Sequence, residues 1–455
     1  MTLIAAAVAT LAAALASGLV GYAVARFFTE GLSRLERLAW SLATGLLVQS
    51  TLFLLAVLVF PRRGAAVLIA LDVLIVACSF LARRPGRRGA PPVAARPMRP
   101  AVALLLAVAG AAWLVFVLSA MSEPMWSTDY LAIWGLKAKT ITAIGDVPAR
   151  LFSDPALDWA HREYPLLVPL SLASLSTLAG GWHDQALALF YPLCELATLF
   201  ALYGFLARRV SSLAGASAAA LAALCFPLYH PVNAGTAEIP FAFSVVLVSV
   251  AFLDSLSVRS RGTLVRLAVA SLFCVSIKQE GTLFVLLLAG TLWVLRRGRE
   301  GWTLVLPVAL HAGLLRVLGG GRAHRDFDPG LLEPGRWRDL APRVTTVVEH
   351  IAGSQILAIW LPLLALFLFL MLTRRGVADT LLPALVLQVL AYVVSFSLSA
   401  FAPAWSASVF PRLAMSLFPA LALVLCARLP VAEAAPLNPG NREASPGDRR
   451  TLRTT

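Results

Sequence analysis

Long apolar runs separated by short polar punctuation dominate the chain. They occupy roughly 2–25, 38–60, 64–82, 101–121, 184–207, 213–230, 240–256, 264–277, 281–296, 302–318, 351–372, 379–399 and 411–427. None shows the period-2 alternation of a barrel strand, so a transmembrane β-barrel is excluded. Backbone polar groups must be satisfied internally in lipid, which leaves helices as the spanning element. The pattern predicts an all-α polytopic integral membrane protein of about 13 transmembrane helices. One further apolar stretch, 165–180, is broken by Pro169 and rich in Ser and Thr. It reads as an interfacial or re-entrant helix rather than a span.

Composition agrees. Of 455 residues, 59% are hydrophobic and 14% charged, with mean hydropathy +0.81. About a quarter of a soluble domain would be charged, so a water-soluble fold and a disordered chain are both excluded. The formal net charge of +14 raises the question of a polyanionic partner. Placement answers it. The arginines cluster in short loops: Arg26/Arg34/Arg37, six between Arg83 and Arg99, Arg208/Arg209, Arg259/Arg261/Arg266, Arg296/Arg297/Arg299 and Arg374/Arg375. With the N-terminus outside, all of these fall in the cytoplasm and only Arg62/Arg63 violate the positive-inside bias. Nucleic acid therefore gains no support. The first apolar run has no basic residue before it and reads as an uncleaved span rather than a signal peptide. The five cysteines lie inside apolar segments without CxxC spacing, as fillers rather than disulfides or metal ligands. No nucleotide-binding loop, zinc-protease motif or internal repeat is visible.

This topology divides the chain into N-terminal helices with a basic cytoplasmic loop (1–100), a central module (101–320) and C-terminal helices (321–430). A disordered cytoplasmic tail follows (431–455). Two long outer loops emerge, 122–183 and 319–350. In the first, Leu131, Trp134, Ala138 and Ile141 recur at helical spacing, which predicts a helix along the membrane surface. Asp129 follows Ser127 and Thr128 at its start, where an N-cap is the local explanation. Arginine outnumbers lysine 35 to 3, yet Lys137, Lys139 and Lys278 all fall on the outer side. Glu238 opens a helix, and Lys278-Gln279-Glu280-Gly281 joins two short apolar arms. Helix dipoles favour both arrangements, but ionisable groups at membrane depth are costly and read as functional. Carboxylates and cations gathered at the outer helix ends suit an amphiphilic substrate with a phosphate head and a sugar. Arg322, His324, Arg325 and Arg412 can reach the same side.

Four stretches carry a family resemblance across roughly residues 120–300. They are Trp126-Ser-Thr-Asp129-Tyr-Leu-Ala-Ile-Trp134-Gly-Leu-Lys137-Ala138, His161-Arg-Glu-Tyr164-Pro165, Ala237-Glu238-Ile239-Pro240 and Ile277-Lys278-Gln279-Glu280-Gly281. In this order the chain resembles the polytopic GT-C glycosyltransferases, such as protein O-mannosyltransferases, lipid A aminoarabinose transferases and bacterial lipid-linked sugar transferases. Arg412 to Pro419 resembles a late helix of the bacterial members. The second acidic position is commonly Asp in that family and is Glu238 here.

The resemblance implies a GT-C fold and inverting transfer of a sugar from a polyprenyl-phosphate donor to a hydroxyl of a lipid, glycan or protein acceptor. The site would face outward from the bacterial cytoplasmic membrane. Asp129 would be the general base, and Glu238 would hold the acceptor or a divalent cation (Mg or Mn), or stabilise oxocarbenium charge. Lys278 and Arg412 would compensate the leaving phosphate, and His161 and Tyr164 would line the donor sugar. Lys137 and Glu280 complete the expected substrate-binding set; no dedicated metal site is expected. A lipid-linked glycan ligase or polymerase is the nearer alternative, and a transporter or flippase the more distant one.

Overall fold

A computed structural model describes residues 2–61, 63–82, 98–147, 154, 160, 161, 163–229, 234–318, 333, 337–353, 376–399 and 406–429. The expected span 351–372 lies almost wholly outside these residues. So do most of the basic run 83–99, Arg322, His324 and Arg325, and the tail 431–455.

The described chain is helical. Helices α1 (Leu3–Ala25), α2 (Arg34–Val59), α3 (Gly64–Leu81) and α4 (Pro100–Ser122) come first. A π-type turn, Tyr130–Trp134, runs into α5 (Gly135–Ile144), and α6 (Leu167–Leu178) follows. The central bundle is α7 (Phe190–Arg209), α8 (Ser212–Tyr229), α9 (Glu238–Ser257), α10 (Arg261–Ile277), α11 (Gln279–Val294) and α12 (Gly298–Val317). Then come α13 (Trp337–Gly353), α14 (Leu382–Ser397) and α15 (Ser406–Cys426). Among the described residues, eight helices are long and apolar enough to cross a membrane, as expected of a polytopic membrane protein.

Helix α9 is the axis of the bundle. It packs against α7, α10 and α15, and 94% of its most apolar window is buried. Two of its buried serines bond their own helix: Ser244 and Ser255 donate to the carbonyls of Phe241 and Phe252, each at 2.7 Å, whereas the buried Ser249 hydroxyl has no partner among the described residues. The helix carries one acid at each end, Glu238 and Asp254, both buried. Sixteen residues at 1.5 Å each set them about 24 Å apart along its axis, close to a hydrocarbon core's thickness. Each therefore meets its cations at an opposite end of the bundle.

At the periphery α1 and α2 approach backbone to backbone. A Cβ on Gly21 would lie 1.8 Å from the Ser41 carbonyl oxygen, and one on Gly45 would lie 2.2 Å from that of Ser17. Small residues permit such contact between helices in lipid. Helix α6 has 12 residues and is about 18 Å long, too short to cross a core of about 30 Å. It is buried against α2 and α5, with Ser171 and Ser50 hydroxyls 3.0 Å apart. All five cysteines are free, Cys78 exposed and the other four buried.

Candidate functional site

The helix expected from Tyr130 to Ile144 forms, and ends where Gly145 adopts φ +69°. Asp129 does not cap it. Ser127 does, its hydroxyl accepting from the Tyr130 amide at 3.1 Å while the Asp129 side chain makes no cap bond. The Asp129 carboxylate instead accepts from Nη1 of Arg412 at 3.0 Å, across 283 residues of sequence. Both side chains remain partly exposed, 34% and 26%, so the pair stays accessible to solvent and ligand.

The turn between α10 and α11 is a single extended residue, Lys278, which ends one helix and caps the next. Gly281 makes this tightness possible, since a Cβ there would lie 2.3 Å from the Cys274 carbonyl oxygen. Lys278 Nζ is held between two carboxylates, 3.3 Å from Glu238 and 3.2 Å from Glu280. Burial alone would favour a neutral amine; the two acids outweigh it and raise the Lys278 pKa. Asp129 and Arg412 also act on Lys278 electrostatically, and Glu238 and Tyr164 on Arg412. Residues from four distant stretches thus form one charged cluster at the ends of α9, α10 and α11 and beside α15.

A second group adjoins it. Lys137 on α5 is fully buried and donates from Nζ to the His161 carbonyl at 2.7 Å. Burial pulls its pKa down to about 7, although nearby Glu163 favours the charged form. His161 sits at φ +50°, a left-handed conformation unusual for a side chain with Cβ. Its ring lies 4.6 Å from that of Tyr164, which in turn lies 5.5 Å from the Trp134 ring. Gln279 Nε2 donates to the Glu163 carbonyl at 3.4 Å and ties this segment to the Lys278 turn. All eight expected residues (Asp129, Lys137, His161, Tyr164, Glu238, Lys278, Glu280 and Arg412) therefore lie in two adjoining groups.

Among the described residues no group of three His, Cys, Asp or Glu side chains could hold a metal ion. Glu238 and Glu280 already share the Lys278 ammonium, and Asp129 is paired with Arg412.

One element escaped the sequence reading. Asp184 accepts from the Tyr130 hydroxyl, from Trp182 Nε1 at 3.1 Å and from Lys139 at 3.2 Å. Lys139 also lies 5.7 Å and 5.5 Å from the Tyr130 and Trp182 ring centres, close enough for cation–π attraction. This knot fastens the π-turn that follows Asp129 to a short helix, Asp184–Leu187, that precedes α7. Its only sequence signal was Trp182-His183-Asp184 at a span boundary, where helix capping is the ordinary reading. Comparison with family models, curated proteins and solved structures finds no match.

Proposed function

We propose that the chain is an inverting glycosyltransferase of GT-C type. It would move a sugar from a polyprenyl-phosphate donor to an acceptor hydroxyl at the outer face of the bacterial cytoplasmic membrane. The observation that carries this reading is the convergence of Asp129, Glu238, Lys278, Glu280 and Arg412 at one end of the bundle. The arrangement places carboxylates and fixed cations together at helix ends, as a phosphate-linked sugar requires. About thirteen spans with the N-terminus outside remain part of the reading, because that orientation puts the arginine loops in the cytoplasm.

In this mechanism the donor phosphate draws Arg412 away from Asp129. A guanidinium offers five N–H donors; the donor's phosphodiester, with one negative charge, competes for them, and its charge grows towards two as it leaves. Asp129, released from its partner, takes the proton of the acceptor hydroxyl. The acceptor oxygen bonds to the anomeric carbon from the face opposite the phosphate, and the bond from that carbon to the phosphate oxygen breaks. Polyprenyl phosphate departs with the bonding pair, its charge met by Arg412 and Lys278. Glu238, held in place by Lys278, lends negative charge to the oxocarbenium-like transition state. Tyr164 and His161 offer a stacked aromatic wall to the donor sugar. Lys137 fixes that wall through the His161 carbonyl. The test is Asp129→Asn, which should abolish transfer in membranes with expression intact; full activity in that variant would refute the assignment of the base.

A further inference from the structure

The opposite end of the bundle holds a second built site that the transfer reading does not use. Between the segment joining α1 to α2 and the ends of α7, α9 and α10 lies an open cavity of about 900 Å³, lined by Arg208, Arg209, Arg261, Arg266, Asp254 and Glu30, among others. An adjoining hollow of about 310 Å³ shares Arg261 and adds Arg259, Arg296 and Arg299 against Glu300.

These guanidiniums are organised rather than scattered. Arg208 bridges Glu36 at 2.7 Å and Asp254 at 3.1 Å, and Arg209 reaches Asp254 at 2.7 Å. Arg266, only 6% exposed, donates to the Phe28 carbonyl at 2.6 Å and to the Thr263 hydroxyl at 3.1 Å. It stands 3.7 Å from Asp254, and its buried Nε has no hydrogen-bond partner among the described residues. Arg261 is exposed at the rim. Across the two hollows and their network the arginines outnumber the acids. A purely structural ion-pair network would tend towards balance, and a buried guanidinium N–H without an acceptor is costly. Both features call for an added anion with several oxygens.

The rim indicates where that anion comes from. Phe27, Val258 and Val265 line the cavity and are exposed, at 41%, 46% and 36%. This apolar margin shares its cavity with Asp254, about 24 Å along α9 from Glu238, a separation that fits the head-group region of the opposite leaflet. Basic pockets between helices at that level suit anionic head groups, and planar guanidinium forks match phosphate oxygens. A volume of several hundred cubic ångströms accommodates a phosphate with its glycerol unit. We propose that this cavity binds the phosphate head group of an anionic lipid, whose acyl chains leave over the Phe27–Val265 rim. The inference stands whether or not the outer cluster transfers a sugar.

The test is native mass spectrometry of the full chain released from detergent, with phosphatidylglycerol, cardiolipin or phosphatidylcholine added in turn. Anionic lipid should be retained over phosphatidylcholine at least tenfold. Arg261→Gln, at an exposed position, should cut that retention several-fold, and Arg266→Met should cut it further. Arg316→Gln, an exposed arginine outside the cavity, should leave it unchanged. Thermal shifts with inorganic phosphate and pyrophosphate separate the sources: stabilisation by these salts without lipid retention would replace the lipid by a soluble phosphate. Equal retention of anionic and zwitterionic lipid, with no shift from either salt, would overturn the proposal. So would anionic-lipid binding that Arg261→Gln leaves intact.

Discussion

Replacing Lys137 by Met should make the protein more stable and less active. The lysine is fully buried, and burial lowers its pKa from 10.5 to about 7. At about 1.4 kcal/mol for each tenfold change in proton affinity, keeping this side chain folded costs up to about 5 kcal/mol relative to a neutral group. The sign follows from proton counting. Between pH 7 and 10.5 the unfolded lysine holds a proton that the folded one has lost, so wild-type stability rises with pH across that window and levels off below it. Methionine fills a similar volume without the charge. It leaves the His161 carbonyl without the Nζ donor, at a cost of about 1–3 kcal/mol. The net gain near pH 7 is then about 2 kcal/mol, falling towards zero and below near pH 10. Thermal unfolding of both proteins in one detergent, at a fixed scan rate, should show the variant melting higher at pH 7 and the two curves converging by pH 10. A variant that melts lower than wild type by the same margin at both pH values would refute the reasoning, since the lysine would then be a net stabiliser. The same variant should lose transfer activity, because Lys137 positions the His161–Tyr164 segment.

Three further substitutions test the rest. Lys278→Met strands Glu238 beside Glu280 without their shared cation and should destabilise by about 3–5 kcal/mol, read as lost expression or a lower melting temperature. Adding Glu238→Gln should restore much of that stability but no activity. Arg412→Lys keeps the charge facing Asp129 but loses the planar fork; turnover should fall at least tenfold, with the melting temperature within a few degrees of wild type. Gly45→Val drives a side chain into the Ser17 carbonyl and should cost about 3 kcal/mol by thermal unfolding, with little effect on the outer cluster's chemistry in protein that does fold.

Helix placement was legible because apolar length and the arginine loops reflect one physical constraint, the cost of polar groups in hydrocarbon. The boundaries of α1 and α9 fall within two residues of the apolar runs that suggested them, 2–25 and 240–256. The shortness of α6 was likewise foreshadowed by its Pro169 and its hydroxyl residues. Pairing was not legible. Asp129 satisfies the local rule for an N-cap, and Ser127, two positions earlier, satisfies it too; only the presence of Arg412, 283 residues away, decides between them. Dipole arguments predicted an acid at Glu238 and a base at Lys278, but not that one ammonium would be shared with Glu280. The Tyr130–Asp184–Lys139 knot was invisible for the same reason, since each of its members has an adequate local explanation. The arginines at the far end were understood as topology signals, and nothing in the sequence indicated that several share a cavity with Asp254.

The central claim is that the outer cluster transfers a sugar from a polyprenyl phosphate. The most direct measurement supplies purified protein in liposomes with a panel of polyprenyl-phosphate sugars and an acceptor extract, and follows glycosylated product and freed polyprenyl phosphate by mass spectrometry. The account predicts that at least one donor yields both in equal amounts with wild type, and that Asp129→Asn yields neither. If no donor is consumed while the lipid-linked sugar moves intact across the bilayer, the protein is a transporter and the account is contradicted.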